Sequence, residues 1–441
     1  MMRKCFALIL FIGFMSNSKA QNPINPGKGM CDPQVRVYGN KIYLYATHDS
    51  SVNNKDFVMN DWWIWSTKDL VHWKYESTLK PDDTYLKHPY NSCWATDAIS
   101  RDGKYFMYFS AGQTDVGVVT SKTPIGPWKD PIGKPLLPQD ITPTLERDPG
   151  IVVDSLGNGY IVFGCWDYYI AKLNPDMVSL AEKPQLIQLD VKNGPYGLGK
   201  TDDKPFMHYY KGHYYLSWGC YYAMSTNIYG PYTYKGSIIT KERTAPIFQN
   251  HLTHDRHGSF FEYNHQWYFI CNDKSYPGTH EFFRNSVVNY LHYKDNGEID
   301  PVYIDTVGVG RYDAAGGVIE AENYFNTTNT QVKECNEGGF EVVSIRNGSA
   351  LYYPNVFNLK AASEMAFRYS SPLNITDGLI EIHEDNPKGK LLGKVKIQQT
   401  KEWQDYTTTK TTLQNKAGKV NLCLVFKGKE GELLHLNWIK F

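Results

Sequence analysis

The sequence lacks a surplus of charge of either sign: 46 lysine and arginine residues face 46 aspartate and glutamate residues over 441 positions. No long basic run breaks that balance, which excludes nucleic acid and anionic membrane surfaces as expected partners. A second long apolar run is also missing. The one present, Cys5 to Met15, follows Arg3 and Lys4 and precedes Ser18-Lys19-Ala20. That order is the order of a secretory signal with a small-x-small cleavage site, and the run is too short to span a bilayer. Residues 1–20 are therefore expected to be a signal peptide. The mature chain is expected to start at Gln21, to be secreted to the periplasm or outside the cell, and to have no membrane span. Paired cysteines are lacking too. Of the eight cysteines, Cys5 lies in the signal, and the remaining seven are scattered without a CxxC pair. An odd, scattered set excludes a full disulfide framework and a thiolate metal site. These cysteines are expected to act as small buried hydrophobes.

Helix-period segments are few. Aromatics are abundant instead, at 15% of residues with 33 tyrosines and 11 tryptophans, and they favour strands. A short aromatic strand pattern recurs after a turn of Gly, Asn, Asp or Lys: Gly39-Asn40-Lys41 before Ile42-Tyr43-Leu44-Tyr45, and Asp102-Gly103-Lys104 before Tyr105-Phe106-Met107-Tyr108. It returns at Gly157-Asn158-Gly159, at Lys211-Gly212-His213 and at Asn264-His265-Gln266. Between turn residues 40, 103, 158, 212 and 265 the steps are 63, 55, 54 and 53. Each step holds about four strands of ordinary length. Five such units closed in a ring make an all-β, five-bladed propeller, spanning 21–308.

One charged or imidazole residue lies upstream of each hairpin, in phase with the repeat: Asp32, Asp97, Asp148, Asp203 and His257. The inner strand of a blade lines the central channel, so the start of each inner strand faces one mouth. A carboxylate there is costly unless paired or functional. Taken singly, each aspartate is as readily a turn cap. As a set in phase they point to one shared site. The pattern ends near residue 310. Gly308, Gly310 and Ala314-Ala315-Gly316-Gly317 make a flexible stretch, with 309–317 as the expected linker. The short alternating segments over 318–441, about 125 residues, match a β-sandwich of jelly-roll type.

These residues resemble the family 43 glycoside hydrolases over positions 29 to about 308. The similar segments are Asp32-Pro33, Trp94-Ala95-Thr96-Asp97 with Asp102-Gly103-Lys104-Tyr105, Asp148-Pro149 with Gly157-Asn158-Gly159-Tyr160, Pro205-Phe206-Met207-His208, and His257-Gly258-Ser259 with Trp267-Tyr268. The C-terminal part resembles family 6 carbohydrate-binding modules at Ile319-Glu320-Ala321-Glu322, Trp403-Gln404-Asp405-Tyr406 and Leu434-His435-Leu436-Asn437-Trp438. Two departures stand out. Asp203 occupies the place of a glutamate, with no glutamate between Glu182 and Glu242, and its side chain is about 1.5 Å shorter. Ser349-Ala350 and Asn437 replace an Asp-Trp pair and an aspartate in the module.

The resemblance implies an inverting glycosidase, with Asp32 as general base, Asp203 as general acid and Asp148 orienting the acid and raising its pKa. Asp202 is the neighbouring alternative acid. Trp94 and Arg284 are expected to contact the sugar. Asp97 either lines the sugar subsite or fixes a strand end. Calcium is the implied ion, as a water-ligated ion that His257 helps to hold in the channel and at Glu320 and Glu322 in the module; no organic cofactor is implied. The expected substrate is an oligo- or polysaccharide, losing terminal pentose or furanose units by α-L-arabinofuranosidase or β-xylosidase action. A β-D-galactofuranosidase or galactan-acting enzyme is the alternative on the same fold. A catalytically inactive carbohydrate-binding protein, or a structural propeller binding protein partners, are alternatives from other classes. A monomer is expected.

Overall fold

The computed structural model describes residues 22–372, 377–414, 416–429 and 431–441. The expected signal peptide at 1–20 lies outside the described residues. Among them, the helical elements are two three-residue 3₁₀ turns, Pro81–Asp83 and Pro246–Phe248; the rest of the regular structure is strand. Five antiparallel sheets follow one another along the chain. Their inner strands are Met30–Tyr38, Cys93–Arg101, Gly150–Val153, Pro205–Tyr210 and Gly258–Tyr263. Three sheets have four strands and two have three.

Each inner strand doubles back at the turn expected from the repeat. At Asp102-Gly103, Lys211-Gly212 and Asn264-His265 both turn residues have positive φ, 51° and 73°, 43° and 89°, 53° and 62°. This is the type I′ geometry, whose twist matches that of the strands it joins. The inner strand of blade one packs against those of blades two and five. That of blade three packs against blades two and four, and that of blade four against blade five, so the ring is closed. The N-terminus seals it. Ile24 N–H donates to the Ser286 carbonyl at 2.9 Å. The buried Asn22 amide donates to the Val288 carbonyl at 3.0 Å and accepts from its N–H at 2.9 Å.

The propeller core is divided among the blade interfaces. Tyr45, Trp62 and Ile64 of blade one meet Met107 and Phe109 of blade two. Phe206 of blade four meets Phe260 and Phe269 of blade five. The seven described cysteines are all free and buried, as small apolar fillers. Asp97 belongs to this scaffold. It is fully buried and paired with Arg36 of blade one (Nε to Oδ1 2.9 Å, Nη2 to Oδ2). It also accepts from the N–H groups of Ala98 at 2.7 Å and Ile151 at 2.6 Å. With both oxygens engaged, Asp97 ties the inner strands of blades one, two and three together. It is therefore not the sugar-subsite residue; the strand-fixing reading holds.

The second unit is a sandwich of two six-stranded sheets around an apolar core that includes Leu351, Tyr353, Phe367, Ile382, Leu424 and Leu436. The stretch 309–317, expected as a linker, is partly built in. Tyr312–Asp313 pairs in parallel with the strand Ala350–Leu359, Val309 packs in the blade-one core, and the Tyr290 and Tyr312 hydroxyls meet at 3.0 Å. Glycines at 308 and 310 adopt φ of 71° without making the segment a free hinge, because its neighbours are packed.

Removing the Asp97 carboxylate leaves the half-buried Arg36 guanidinium with the Ile151 carbonyl alone and two buried N–H groups unpaired, which typically costs about 1–3 kcal/mol. Asp97→Ala is expected to destabilise the chain by that order in denaturant titration. A loss below about 1 kcal/mol would show that Arg36 finds another partner.

Candidate active site

Asp32, Asp148 and Lys204 each stand directly before a proline, Pro33, Pro149 and Pro205, at the entry to an inner strand. All three have left-handed backbone, φ 46°, 55° and 62°. In blade one the register slips at this point, between Cys31 and Gln34, and such a bulge re-aims a side chain. The kink turns these residues off the sheet and towards each other at one mouth of the channel. Left-handed backbone at non-glycine residues is strained by about 1–3 kcal/mol each and concentrates at functional sites.

Asp32 is held from every side. Its Oδ1 accepts from Asn272 Nδ2 at 2.7 Å and Arg284 Nη1 at 3.0 Å; its Oδ2 accepts from Thr47 Oγ1 at 2.7 Å. His257 Nδ1 lies 3.5 Å from Oδ1. Arg284 also grips Asp49, Nε to Oδ2 at 3.1 Å and Nη2 to Oδ1 at 3.1 Å. Most of its donors are thus engaged by carboxylates, with one Nη1 hydrogen left over. Arg284 holds Asp32 and Asp49 together at the mouth, where it was expected to contact the sugar.

On the other side, Asp203 receives Arg147 Nη2 at 2.9 Å and the Lys204 ammonium. Asp148 Oδ2 accepts the Lys204 backbone N–H at 2.9 Å and lies 3.9 Å from Arg147 Nε. Asp202 Oδ1 accepts the Asp203 N–H at 2.9 Å, and its Oδ2 lies 3.4 Å from Lys204 Nζ. Asp255 completes the link: one oxygen lies 3.7 Å from Lys204, the other 3.6 Å from Arg284. The Arg147 guanidinium sits 5.4 Å over the Trp94 ring, which brings Trp94 to the wall of the mouth beside Asp203. Asp32, Asp148, Asp203, His257, Arg284 and Trp94 are therefore drawn together, and Asp97 is not.

Four members escaped sequence reading: Arg147, Lys204, Asp255 and Asn272. Lys204 had a visible signal, since its place before Pro205 matches Asp32 before Pro33 and Asp148 before Pro149. The others reach the mouth from loops and a second strand, where no repeat marks them. Asp202 and Asp203 both lie in the loop before the fourth inner strand, which starts only at Pro205.

The charges are unequal in character. Burial pushes Asp32 up, but Arg284, His257 and the Thr47 and Asn272 hydrogen bonds outweigh it and bring the carboxyl to about 2. Burial and then the Asp203 charge raise Asp148 to about 7, against Arg147 and Lys204. Burial and Asp203 also raise Asp202 to about 7, with Lys204 opposing. For Asp203 itself burial is overcome by Lys204 and Arg147, which hold it below the usual carboxylate range. The expected direction is thus reversed: Asp203 raises Asp148, because the two cations sit on Asp203. The side chain of Asp203 is 25% exposed, against 8% for Asp148 and 6% for Asp202. Asp203 is the arm that reaches out of the cluster.

His257 is neutral, lowered by burial to about 4. Its Nε2 faces Gln34 Nε2 at 3.2 Å and its Nδ1 faces Asp32. Both ring nitrogens are committed, and the donors are not the oxygens that calcium prefers. The residues do not fit a directly bound ion there. Glu320 and Glu322 fit better. Glu322 is 3% exposed, its Oε2 has no hydrogen-bond partner, and burial and then Glu320 raise it well above the glutamate range. Two carboxylates with an orphaned oxygen suit a hard cation, which would neutralise them and pin the start of the sandwich. They border a cavity of about 600 Å³ between propeller and sandwich that contains none of the catalytic candidates.

A closed five-bladed ring with several carboxylates gathered at one mouth has the two kinds of group that hydrolysis of a glycosidic bond requires. The sequence profile of glycosyl hydrolases family 43 matches residues 20–299, and that of carbohydrate binding module family 6 matches 320–441. The chain belongs to glycosyl hydrolase family 43 and is a glycoside hydrolase with a family 6 module. It is 27% identical to an arabinoxylan arabinofuranohydrolase of Paenibacillus polymyxa, covering 100% of this chain and 80% of that one. It is 28% identical to a xylosidase/arabinosidase of Bacteroides ovatus, covering 62% of this chain and 95% of that one. The crystal structure of a family 43 arabinoxylan arabinofuranohydrolase from Bacillus subtilis with cellotetraose shares the fold. Its TM-score is 0.56 at 23% identity, covering 95% of this chain and 97% of that one.

Two outcomes follow from the charges. kcat/KM is expected to fall as pH rises through about 7, where Asp148 loses its proton. Lys204→Met removes the cation that keeps Asp203 ionised, so its pKa rises and the fall moves to higher pH. An unmoved limb in the pH–rate profile would place the proton elsewhere. In the module, added Ca²⁺ is expected to raise Tm, and Glu322→Gln to abolish the response in thermal scans.

Proposed function

We propose that the chain is an exo-acting, inverting glycosidase that releases terminal pentose or furanose units, arabinofuranose or xylose, from side chains of plant-type polysaccharide. The observation that carries this reading is the split in protonation at one mouth. Arg284, Thr47 and Asn272 hold Asp32 as a carboxylate on one side, while on the other the buried Asp148 is raised to about 7 beside the more exposed Asp203. Inverting hydrolysis needs that combination: an ionised carboxylate to activate water on one face of the sugar and a protonated one for the leaving oxygen.

Asp32 takes a proton from water as the oxygen attacks the anomeric carbon. The glycosidic oxygen leaves with a proton delivered by Asp203, the exposed arm of the pair. Asp148 holds that proton at rest, and Asp203 takes it up when sugar displaces the Lys204 ammonium from its oxygen. Each acid or base step is worth about 10²–10⁴ in rate. Trp94 stands as the apolar wall against the sugar. Two carboxyl groups and water suffice, so no organic cofactor enters. The relatives named for arabinofuranose and xylose release support the choice of sugar. Export by residues 1–20, with cleavage before Gln21, is part of the same proposal.

The Lys204 ammonium on Asp203 favours a second reading, a binding protein whose acid is locked. A panel of nitrophenyl glycosides separates the two. Turnover of the α-L-arabinofuranoside or β-xyloside is expected, with the opposite anomer as first product by proton NMR. A retained anomer would remove Asp32 as base. Asp203→Ala is expected to abolish cleavage of natural glycosides and to spare a dinitrophenyl glycoside, whose leaving group needs little protonation. Asp32→Ala is expected to damage both alike. If Asp202→Ala shows the leaving-group dependence instead, Asp202 is the acid.

A further inference from the structure

Trp166 forms the tip of the tight hairpin between the second and third strands of blade three, with Cys165 and Asp167 paired on either side. Its backbone is left-handed, φ 66°, a conformation that bulky residues rarely adopt. The ring does not recover that strain by burial, since Trp166 remains 42% exposed. The turn is fastened to the catalytic segment: Trp166 N–H donates to the Asp202 carbonyl at 3.0 Å, and Thr201 Oγ1 donates to the Trp166 carbonyl at 2.6 Å. On its other side, Arg147 Nη2 lies 3.2 Å from Cys165 Sγ.

Tyr196, 48% exposed, meets the Trp166 ring at 5.3 Å and 69°. Its far edge meets His254 at 5.1 Å. His254 lies 3.3 Å from Lys274, which is 3.7 Å from Asp255 of the mouth. Two exposed rings thus make an angled corner on the rim beside Asp202 and Asp203. Position assigns the occupant. The acid protonates the glycosidic oxygen, and whatever lies outward of the acid faces the group on the far side of that oxygen. The apolar C–H face of a sugar ring suits an aromatic face, and neither ring has a protein partner on its open side that buries it.

We propose that Trp166 and Tyr196 form a subsite for a pyranose ring of the polysaccharide main chain on the leaving-group side. The proposal rests on the glycosidase reading and adds what selects a polymer over a simple glycoside. Trp166 holds strained backbone so that its ring stands in the path of the leaving chain, and Tyr196 closes the corner from the facing loop.

The test compares the full chain with Trp166→Gly and Tyr196→Ala on two substrates: nitrophenyl α-L-arabinofuranoside, which has no leaving sugar, and arabinoxylan oligosaccharides. The ratio of kcat/KM for oligosaccharide over aryl glycoside is expected to fall about tenfold in each variant, with the loss in KM. An unchanged ratio would overturn the subsite, as would an equal fall on both substrates, which marks a mere support for the Asp202 loop. Glycine adopts φ 66° without strain, so Trp166→Gly is expected to melt no lower than wild type. Should it misfold, Tyr196→Ala carries the test, because that side chain makes no hydrogen bond to the catalytic segment. If the wild type cleaves neither substrate, the glycosidase reading fails. Titration of xylotetraose then decides the subsite: loss of one class of binding sites in both variants supports it, and unchanged binding overturns it.

Discussion

A chain of buried charges of alternating sign holds the mouth of the propeller: Asp49, Arg284, Asp32 and Asp255 on one side, and Lys204, Asp203, Arg147 and Asp148 on the other. All but Asp203 are largely withdrawn from water, which is tolerable only because each has a neighbour of opposite sign. The contributors come from blades one, three, four and five and their loops, so none of these can move alone without leaving a charge uncompensated. Such a network adds little net stability relative to an apolar filling. What it supplies is a fixed set of protonation states.

Those states set the chemistry. Arg284 shares its donors between Asp32 and Asp49, and the former is thereby kept ionised and oriented at once. Lys204 and Arg147 hold Asp203 below the usual carboxylate range, while burial and the Asp203 charge raise Asp148. A shorter acid side chain and a lysine before Pro205 thus occur together: the aspartate is pulled back from the glutamate reach, and the ammonium occupies its oxygen. Strained backbone at Asp32, Asp148, Lys204 and Trp166 lies along this one rim, where the folded ring over-determines conformations that would relax elsewhere.

The sandwich is joined to the propeller through packed residues: the Tyr290–Tyr312 hydroxyl contact, Tyr324 to the His265 carbonyl at 3.2 Å, and His292 to Asn323 at 2.8 Å. The segment that reads as flexible by its glycines is stapled on both sides. Composition indicates backbone freedom, but neighbours decide whether it is used.

Five hairpins at steady spacing, each with a turn that tolerates positive φ and an aromatic strand after it, were legible because these are local properties: a two-residue turn and a period of two need no distant partner. The phase of Asp32, Asp148 and Asp203 was legible for the same reason, since the repeat carries it. Asp97 shared the phase and misled, because a carboxylate facing the channel and one paired with Arg36 below it look alike in one dimension. The direction of proton sharing, the commitment of Arg284 to Asp32, and the parts of Arg147, Asp255 and Asn272 were decided only by tertiary structure. A pKa depends on which charges lie within a few ångströms and how far water is excluded, and those neighbours are separated by up to 252 positions in the chain.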